Sequence, residues 1–369
     1  MMPHKVPPAS LSPQHKITPA SRDSKLYWLQ ALRGVAALMV LFFHMAPHWA
    51  LAPMLNNVTG IMRFGFAGVD VFFMLSGFVV YMSAQSVVSL PGVLHFIKRR
   101  ALRIYLGYWP ALLVTALGSV WLLNAELPTV EHMLGSIFLL YPSIFDNWLP
   151  TAWSLTYELY FYSWIAGIVL LPARYRMQSV VLLILGLTLW NTFWLTVYPQ
   201  LVYGGAQPLR FLLTGYGLEF LTGVVLAEIF KKFKNQWPRP AIMLPLCLSL
   251  VCSGLALGTT SHFFDRVEIM RVGSFGVFAL GLFLMTLTLQ AHHFKAPNWL
   301  VVTGDASFSL YLLHTFLLSL AGQFRFNYLQ GNAPLIILFS VLLPAGITLL
   351  SIGWFKTIEY PLMRKVLHR

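Results

Sequence analysis

Two side chains near the start of the chain could act on one extended ligand. Arg33 and His44 lie eleven residues apart in an apolar run. At about 100° per residue, eleven helical steps return to within about 20° of the same face, with a rise of about 16 Å. One face of a helix would then carry a guanidinium at one depth and an imidazole much further along. That pair suits a ligand that is anionic at one end and reactive at the other. The plain alternative is that Arg33 snorkels to lipid phosphates and His44 caps a polar contact at the opposite interface.

Other polar residues in apolar surroundings are candidates for the same reason, since an ionisable group at membrane depth costs about 2.5–3.5 kcal/mol on insertion scales. Asp70 could orient an imidazole as a carboxylate does in a triad, or be a buried acid paired with a neighbouring arginine. Ser76 and Gly77 are small residues that let helices approach closely, and packing suits both. Ser76 is also a candidate for substrate contact or, as a lesser route, for a covalent acyl intermediate. Arg100 and Arg103, spaced i,i+3 beside Arg99, suit a phosphate, although any basic loop at a membrane looks the same. Trp153, Tyr157 and Glu158 could form an aromatic wall with one carboxylate for a sugar, or an ordinary aromatic belt. Glu219 lies mid-span with no partner evident from sequence. His314 is either a hydrogen-bonded core histidine or a substrate contact. The chain has two cysteines, Cys247 and Cys252, both in an apolar run. That pattern excludes a disulfide scaffold and a cysteine zinc site, and no metal is expected.

The elements that must position these groups are transmembrane helices. Of 369 residues, 57% are hydrophobic and 10% charged, against about 25% charged in a soluble domain. Spans need about 20 apolar residues, and ten segments qualify, at roughly 28–48, 66–85, 105–123, 152–172, 179–197, 210–230, 241–259, 271–290, 301–321 and 335–355. A short apolar piece near 132–142 is too short to cross. The expected fold is therefore an all-α integral membrane protein with about ten transmembrane helices. Nineteen of the 25 lysines and arginines fall on the side of both termini, and five (Arg63, Arg210, Arg266, Arg271, Arg325) on the other. This asymmetry predicts both termini in the cytoplasm. It also accounts for the net charge of +13, so no nucleic-acid partner is expected. Residues 1–25 read as a disordered cytoplasmic tail without a signal peptide.

In order along the chain, these segments resemble membrane acyltransferase family 3, bacterial enzymes that O-acylate surface carbohydrates. The likeness rests on Leu32-Arg33 with ten residues before His44, on Gly68-Val-Asp70-Val-Phe-Phe-Met-Leu-Ser76-Gly77-Phe78, and on Arg99-Arg100-Ala-Leu-Arg103-Ile. It rests also on Trp153-Ser-Leu-Thr-Tyr157-Glu158 with Phe161-Tyr162, on Gly304 to His314, and on Glu359-Tyr-Pro361. Two positions depart from the family's habit: Leu106 replaces a frequent proline, and Phe308 follows Ser307 where tyrosine is common.

The resemblance implies a membrane acyltransferase domain over 26–361, a basic cytoplasmic tail over 362–369, and the standalone form without an extracytoplasmic esterase-like domain. It implies transfer of an acyl group, usually acetyl, from cytoplasmic acyl-CoA (acetyl-CoA) to a hydroxyl of an outward-facing carbohydrate, at the bacterial inner membrane. In that scheme Arg33, Arg99, Arg100 and Arg103 bind the coenzyme. His44 is the general base, with Asp70 or Glu158 orienting it or the acceptor. Trp153, Tyr157, Ser76 and His314 contact substrate. The expected partners are acyl-CoA, a carbohydrate acceptor and the bilayer, with self-association into a homo-oligomer left open. Two alternatives stand beside it: O-acylation of a small metabolite such as a macrolide, and a transporter of a small acid or lipid-linked sugar.

Overall fold

A helix that is apolar on most of its faces has nowhere to hide them except lipid or other helices. The computed structural model describes residues 26–49, 62–87, 89–197, 211–260 and 268–367, and among these there are helices and no strands. The elements are α1 (Tyr27–Trp49), α2 (Gly68–Ala84), α3 (Leu90–Leu123), α4 (Val130–Ile137), α5 (Trp153–Leu170), α6 (Ala173–Val197), α7 (Tyr216–Phe233), α8 (Pro240–Thr260), α9 (Val277–Ala291), α10 (Asn298–Asp305), α11 (Ser307–Tyr328), α12 (Ala333–Trp354) and α13 (Tyr360–Leu367). A 3₁₀ turn, Arg63–Ala67, leads into α2. A π-helical turn, Val272–Gly276, leads into α9, and another, Phe355–Glu359, joins α12 to α13.

Helices stand at all ten predicted positions. Seven are by themselves long and apolar enough to cross a membrane, and an eighth span arises if α10 and α11 are taken together. This is the make-up of an integral membrane protein. The remaining two, α5 and α7, are each 18 residues long and carry charged residues within them. The tail predicted over 1–25 lies outside the described residues.

Three boundaries differ from the sequence expectation. The basic segment 98–103 is not a loop but part of the 34-residue α3, which starts where Ser89 accepts a hydrogen bond from the Gly92 amide. The ninth predicted span is broken: α10 and α11 meet at 75°, with no proline at the break to announce it. Residues 360–367 continue as α13, packed on α3, with Tyr360, Met363, Arg364 and Leu367 on one face by their i, i+3, i+4, i+7 spacing.

The centre of the bundle is α2, which packs on α1, α5, α7 and α9. Close approach there depends on missing side chains. A Cβ on Gly77 would strike the Phe220 carbonyl, and one on Gly223 would strike that of Met74. The same device joins α1 to α10: a Cβ on Gly304 would meet the Gln30 carbonyl, and one on Gly34 the Leu300 carbonyl. Small residues at such crossings replace the hydrophobic drive that lipid cannot supply.

Replacing Gly304 with valine is expected to cost about 1–3 kcal/mol or more, because backbone rather than a flexible side chain must move. Gly186→Ala, where a Cβ meets nothing within 4 Å, is expected to be neutral or slightly stabilising. Thermal unfolding of both variants in detergent checks the contrast.

Candidate functional site

The bundle holds a cavity of about 370 Å³. Its lining draws on α1 (Gln30, Arg33), α2 (Phe72, Phe73, Ser76), α3 (Arg100, Arg103), α5 (Ser154, Glu158, Tyr162), the α10–α11 junction (Asp305, Ser307, Phe308, Tyr311) and the C-terminal segment (Glu359, Tyr360, Arg364). Exposed Arg103, Tyr360 and Arg364 bring one end of it to the surface. Phe72, Phe73 and Tyr311 supply aromatic rings to its lining.

Four arginines therefore share a cavity with three carboxylates, and most of these groups are already fixed. The Arg33 Nε donates to the Ser307 hydroxyl at 3.2 Å. Glu158 accepts from Ser76 at 2.9 Å and from the Tyr162 hydroxyl at 2.6 Å, both at Oε1. Asp305 accepts from the Gln30 amide at 3.0 Å, and Glu359 from the Ser309 hydroxyl. Arg100 donates to Ser83. Arg33 lies within electrostatic reach of Arg103, Glu158, Glu359 and Asp305. Hydroxyl and amide donors hold the carboxylates in place, and the guanidinium groups remain the forks that suit an oxyanion such as phosphate.

His44 does not line the cavity. Its Nδ1 is 2.9 Å from the Val40 carbonyl and 3.2 Å from Nε2 of His314. Tyr311 and Phe72 both line the cavity, their rings 5.9 Å apart. The Tyr311 ring is 6.0 Å from that of His314, and its hydroxyl pairs with Ser154 at 2.8 Å. So α1 turns both Arg33 and His44 inward against α11, as the eleven-residue spacing predicts, but only Arg33 enters the cavity.

Several assigned residues take other positions. Asp70, fully buried, does not meet His44. Both its oxygens bind Arg271, at 2.9 and 2.6 Å, because two buried charges this close are each other's best solvent substitute. Arg271, expected at the outer surface, is itself buried, with its Cζ 4.8 Å from the Phe66 ring and 5.2 Å from the Tyr216 ring. Glu219 lies near enough to act on it electrostatically. Trp153 and Tyr157 do not line the cavity. They pack into an aromatic cluster with Phe73 and Tyr216, with centroids 5.4–6.3 Å apart. Arg99 turns away and donates to the Leu367 carbonyl at 3.0 Å, tethering α13. Ser76 and Glu158 do enter the cavity, joined to each other. His314 is buried and contacts His44 rather than the cavity.

The sequence reading missed Arg364, Tyr162 and Tyr311 as members of the site. Local signals existed for two of them. Tyr162 follows Glu158 by four residues, and Arg364 sits on the same face of α13 as Tyr360 and Met363.

A family model described as an acyltransferase domain matches residues 26–352. The exopolysaccharide production protein ExoZ of Rhizobium meliloti (strain 1021) is 30% identical over 308 residues, which is 82% of this chain and 90% of that protein. The peptidoglycan O-acetyltransferase OatA of Listeria monocytogenes serovar 1/2a is 24% identical over 323 residues, 78% of this chain and 48% of that protein. The chain thus spans about half the length of the second relative. No solved structure matches it.

The Asp70–Arg271 pair gives a stability prediction. Arg271→Leu alone leaves a buried carboxylate uncompensated and is expected to cost about 3–5 kcal/mol. Asp70→Leu combined with Arg271→Leu is expected to recover much of that loss. Thermal unfolding of the single and double variants in the same detergent measures it.

Proposed function

Because the chain belongs to acyltransferase family 3, and is thus an acyltransferase rather than a transporter, we propose that it moves an acetyl group from acyl-CoA to a hydroxyl of an outward-facing carbohydrate. The observation that carries this reading is the cavity lined by Arg33, Arg100, Arg103 and Arg364. Coenzyme A is a polyanion with a long thin arm. Its phosphates suit guanidinium forks, and the arm suits a narrow passage between helices.

The basic end of the cavity belongs to the side that the lysine and arginine asymmetry assigns to the cytoplasm, where acyl-CoA is made. Both termini lie on that side in this reading, and the membrane is the bacterial cytoplasmic membrane. The acetylated thioester points inward past Phe72 and Tyr311 towards His44. The rise of about 16 Å between Arg33 and His44 on α1 is the distance this arm has to bridge. The acceptor arrives from the other face. ExoZ is named for exopolysaccharide production and OatA for peptidoglycan O-acetylation, and a carbohydrate acceptor for this chain rests on that kinship.

An alcohol needs a base to become a useful nucleophile, and imidazole is the usual one near neutral pH. His44 takes the proton from the acceptor hydroxyl as its oxygen attacks the thioester carbonyl. The new C–O bond forms, the C–S bond breaks, and the departing thiolate recovers the proton from the imidazolium. The products are the ester and the free thiol of coenzyme A. Glu158, held by Ser76 and Tyr162, orders the arginine-lined part of the cavity rather than the base.

His44→Ala is expected to abolish O-acetylation of surface polysaccharide, read by mass analysis of cells with matched protein levels. Acetyl-CoA binding to purified protein is expected to persist. Arg33→Ala and Arg100→Ala are expected to weaken acetyl-CoA binding about tenfold or more, the worth of one charged hydrogen bond. Arg99→Ala, outside the cavity, is expected to leave it near the unaltered value. Full surface acetylation by the His44 variant would end this mechanism.

A further inference from the structure

We infer that His314 is a positioning residue that fixes the tautomer of His44, an assignment that rests on His44 being the base of the transfer. A backbone carbonyl can only accept a hydrogen bond. The His314 Nδ1 lies 3.1 Å from the Leu310 carbonyl, and the His44 Nδ1 lies 2.9 Å from the Val40 carbonyl. Each contact therefore places a hydrogen on Nδ1. The Nε2 of neutral His314 is then a lone pair, and it lies 3.2 Å from the His44 Nδ1. The two rings stand 4.8 Å apart at 60°. One arrangement of protons satisfies all three contacts with both rings neutral: the His44 N–H is shared between Val40 and His314, and His44 Nε2 carries the basic lone pair.

This division of labour has a physical logic. A base must present the correct nitrogen, and in many enzymes a carboxylate enforces that. Here Asp70, the acid that the sequence offered for that role, is held by Arg271. A neutral imidazole does the same orienting without burying another charge, which in a membrane interior is costly. The arrangement also survives the reaction. When His44 becomes imidazolium, its Nδ1–H is still donated to His314, so no proton has to leave the pair. Burial of His314 in α11, 1% exposed, suits a group that acts on His44 and not on substrate. Each histidine bonds the carbonyl four residues before it on its own helix, so both rings are anchored to rigid elements.

The test combines spectroscopy with two substitutions in the full chain. In ¹⁵N-histidine-labelled protein in nanodiscs, with His44 signals assigned by difference against His44→Gln, Nδ1 is expected to be protonated and Nε2 bare. His314→Leu removes the acceptor and is expected to lower surface O-acetylation about 10- to 100-fold, less than the loss of the base itself, with acetyl-CoA binding unchanged. His314→Gln, whose amide oxygen can accept from His44, is expected to restore most of the activity. A His44 protonated on Nε2 would overturn the inference, as would unimpaired transfer by His314→Leu or a Gln variant no better than Leu at equal protein levels. If His314→Leu fails to fold, the spectrum of the unsubstituted protein still decides. Full activity of His44→Ala would instead remove the reading on which the inference rests, whatever the tautomer.

Discussion

The first helix runs parallel to α11, and two side-chain contacts lock them in register: Arg33 to Ser307 and His44 to His314. Eleven residues on α1 rise about 16 Å while seven on α11 rise about 10 Å, so the long arginine side chain makes up the difference. Backbone-to-backbone approach at Gly34 and Gly304 holds α1 against α10, and the sharp turn after α10 leads into α11. That turn lets Asp305, Ser307 and Tyr311 face the cavity from one short stretch. Without this pairing the face of α1 that carries the guanidinium and the imidazole would have no side-chain partner on α11.

Charge inside the bundle is sorted into two kinds. Asp70 and Arg271 neutralise each other with two hydrogen bonds and two aromatic faces around the guanidinium. That cluster joins the starts of α2, α7 and α9 and is architecture. The cavity arginines are different. They stand beside acids already engaged by Ser76, Tyr162 and Ser309, in a space large enough for a ligand. A closed pair answers the cost of burial by itself. In the proposed function, the arginine-rich cavity leaves part of it to be answered by the bound coenzyme's phosphates.

Much of this was legible in sequence wherever the determining contacts are local. Helical spacing put Arg33 and His44 on one face, and apolar run lengths put a helix at each of the ten positions where one is found. The i,i+3 spacing of Arg100 and Arg103 put both on one helix face, and in the structure that face lines the cavity. What sequence could not give were partners distant along the chain. Asp70 finds Arg271 201 residues later, and nothing near either residue announces the other. Aromatic composition alone could not tell a sugar-binding wall from packed core, so Trp153 and Tyr157 read the same either way. Arg99 and Arg100 are adjacent and chemically alike, yet about 100° of helical rotation sends one to the cavity and the other to the α13 backbone. The break at Asp305–Ala306 carries no proline, and so the ninth helix looked continuous.

The central claim is that one ligand bridges the arginine cavity and His44. A cryo-electron microscopy structure in nanodiscs, with an acetyl-CoA analogue whose thioester sulfur is replaced by methylene, tests it directly. The account predicts phosphate density at Arg33, Arg100 and Arg103, with the arm passing Tyr311 and the analogue's carbonyl carbon beside Nε2 of His44. Phosphates bound elsewhere, or an acyl end halted at Glu158 behind an unmoved Tyr311, would contradict it.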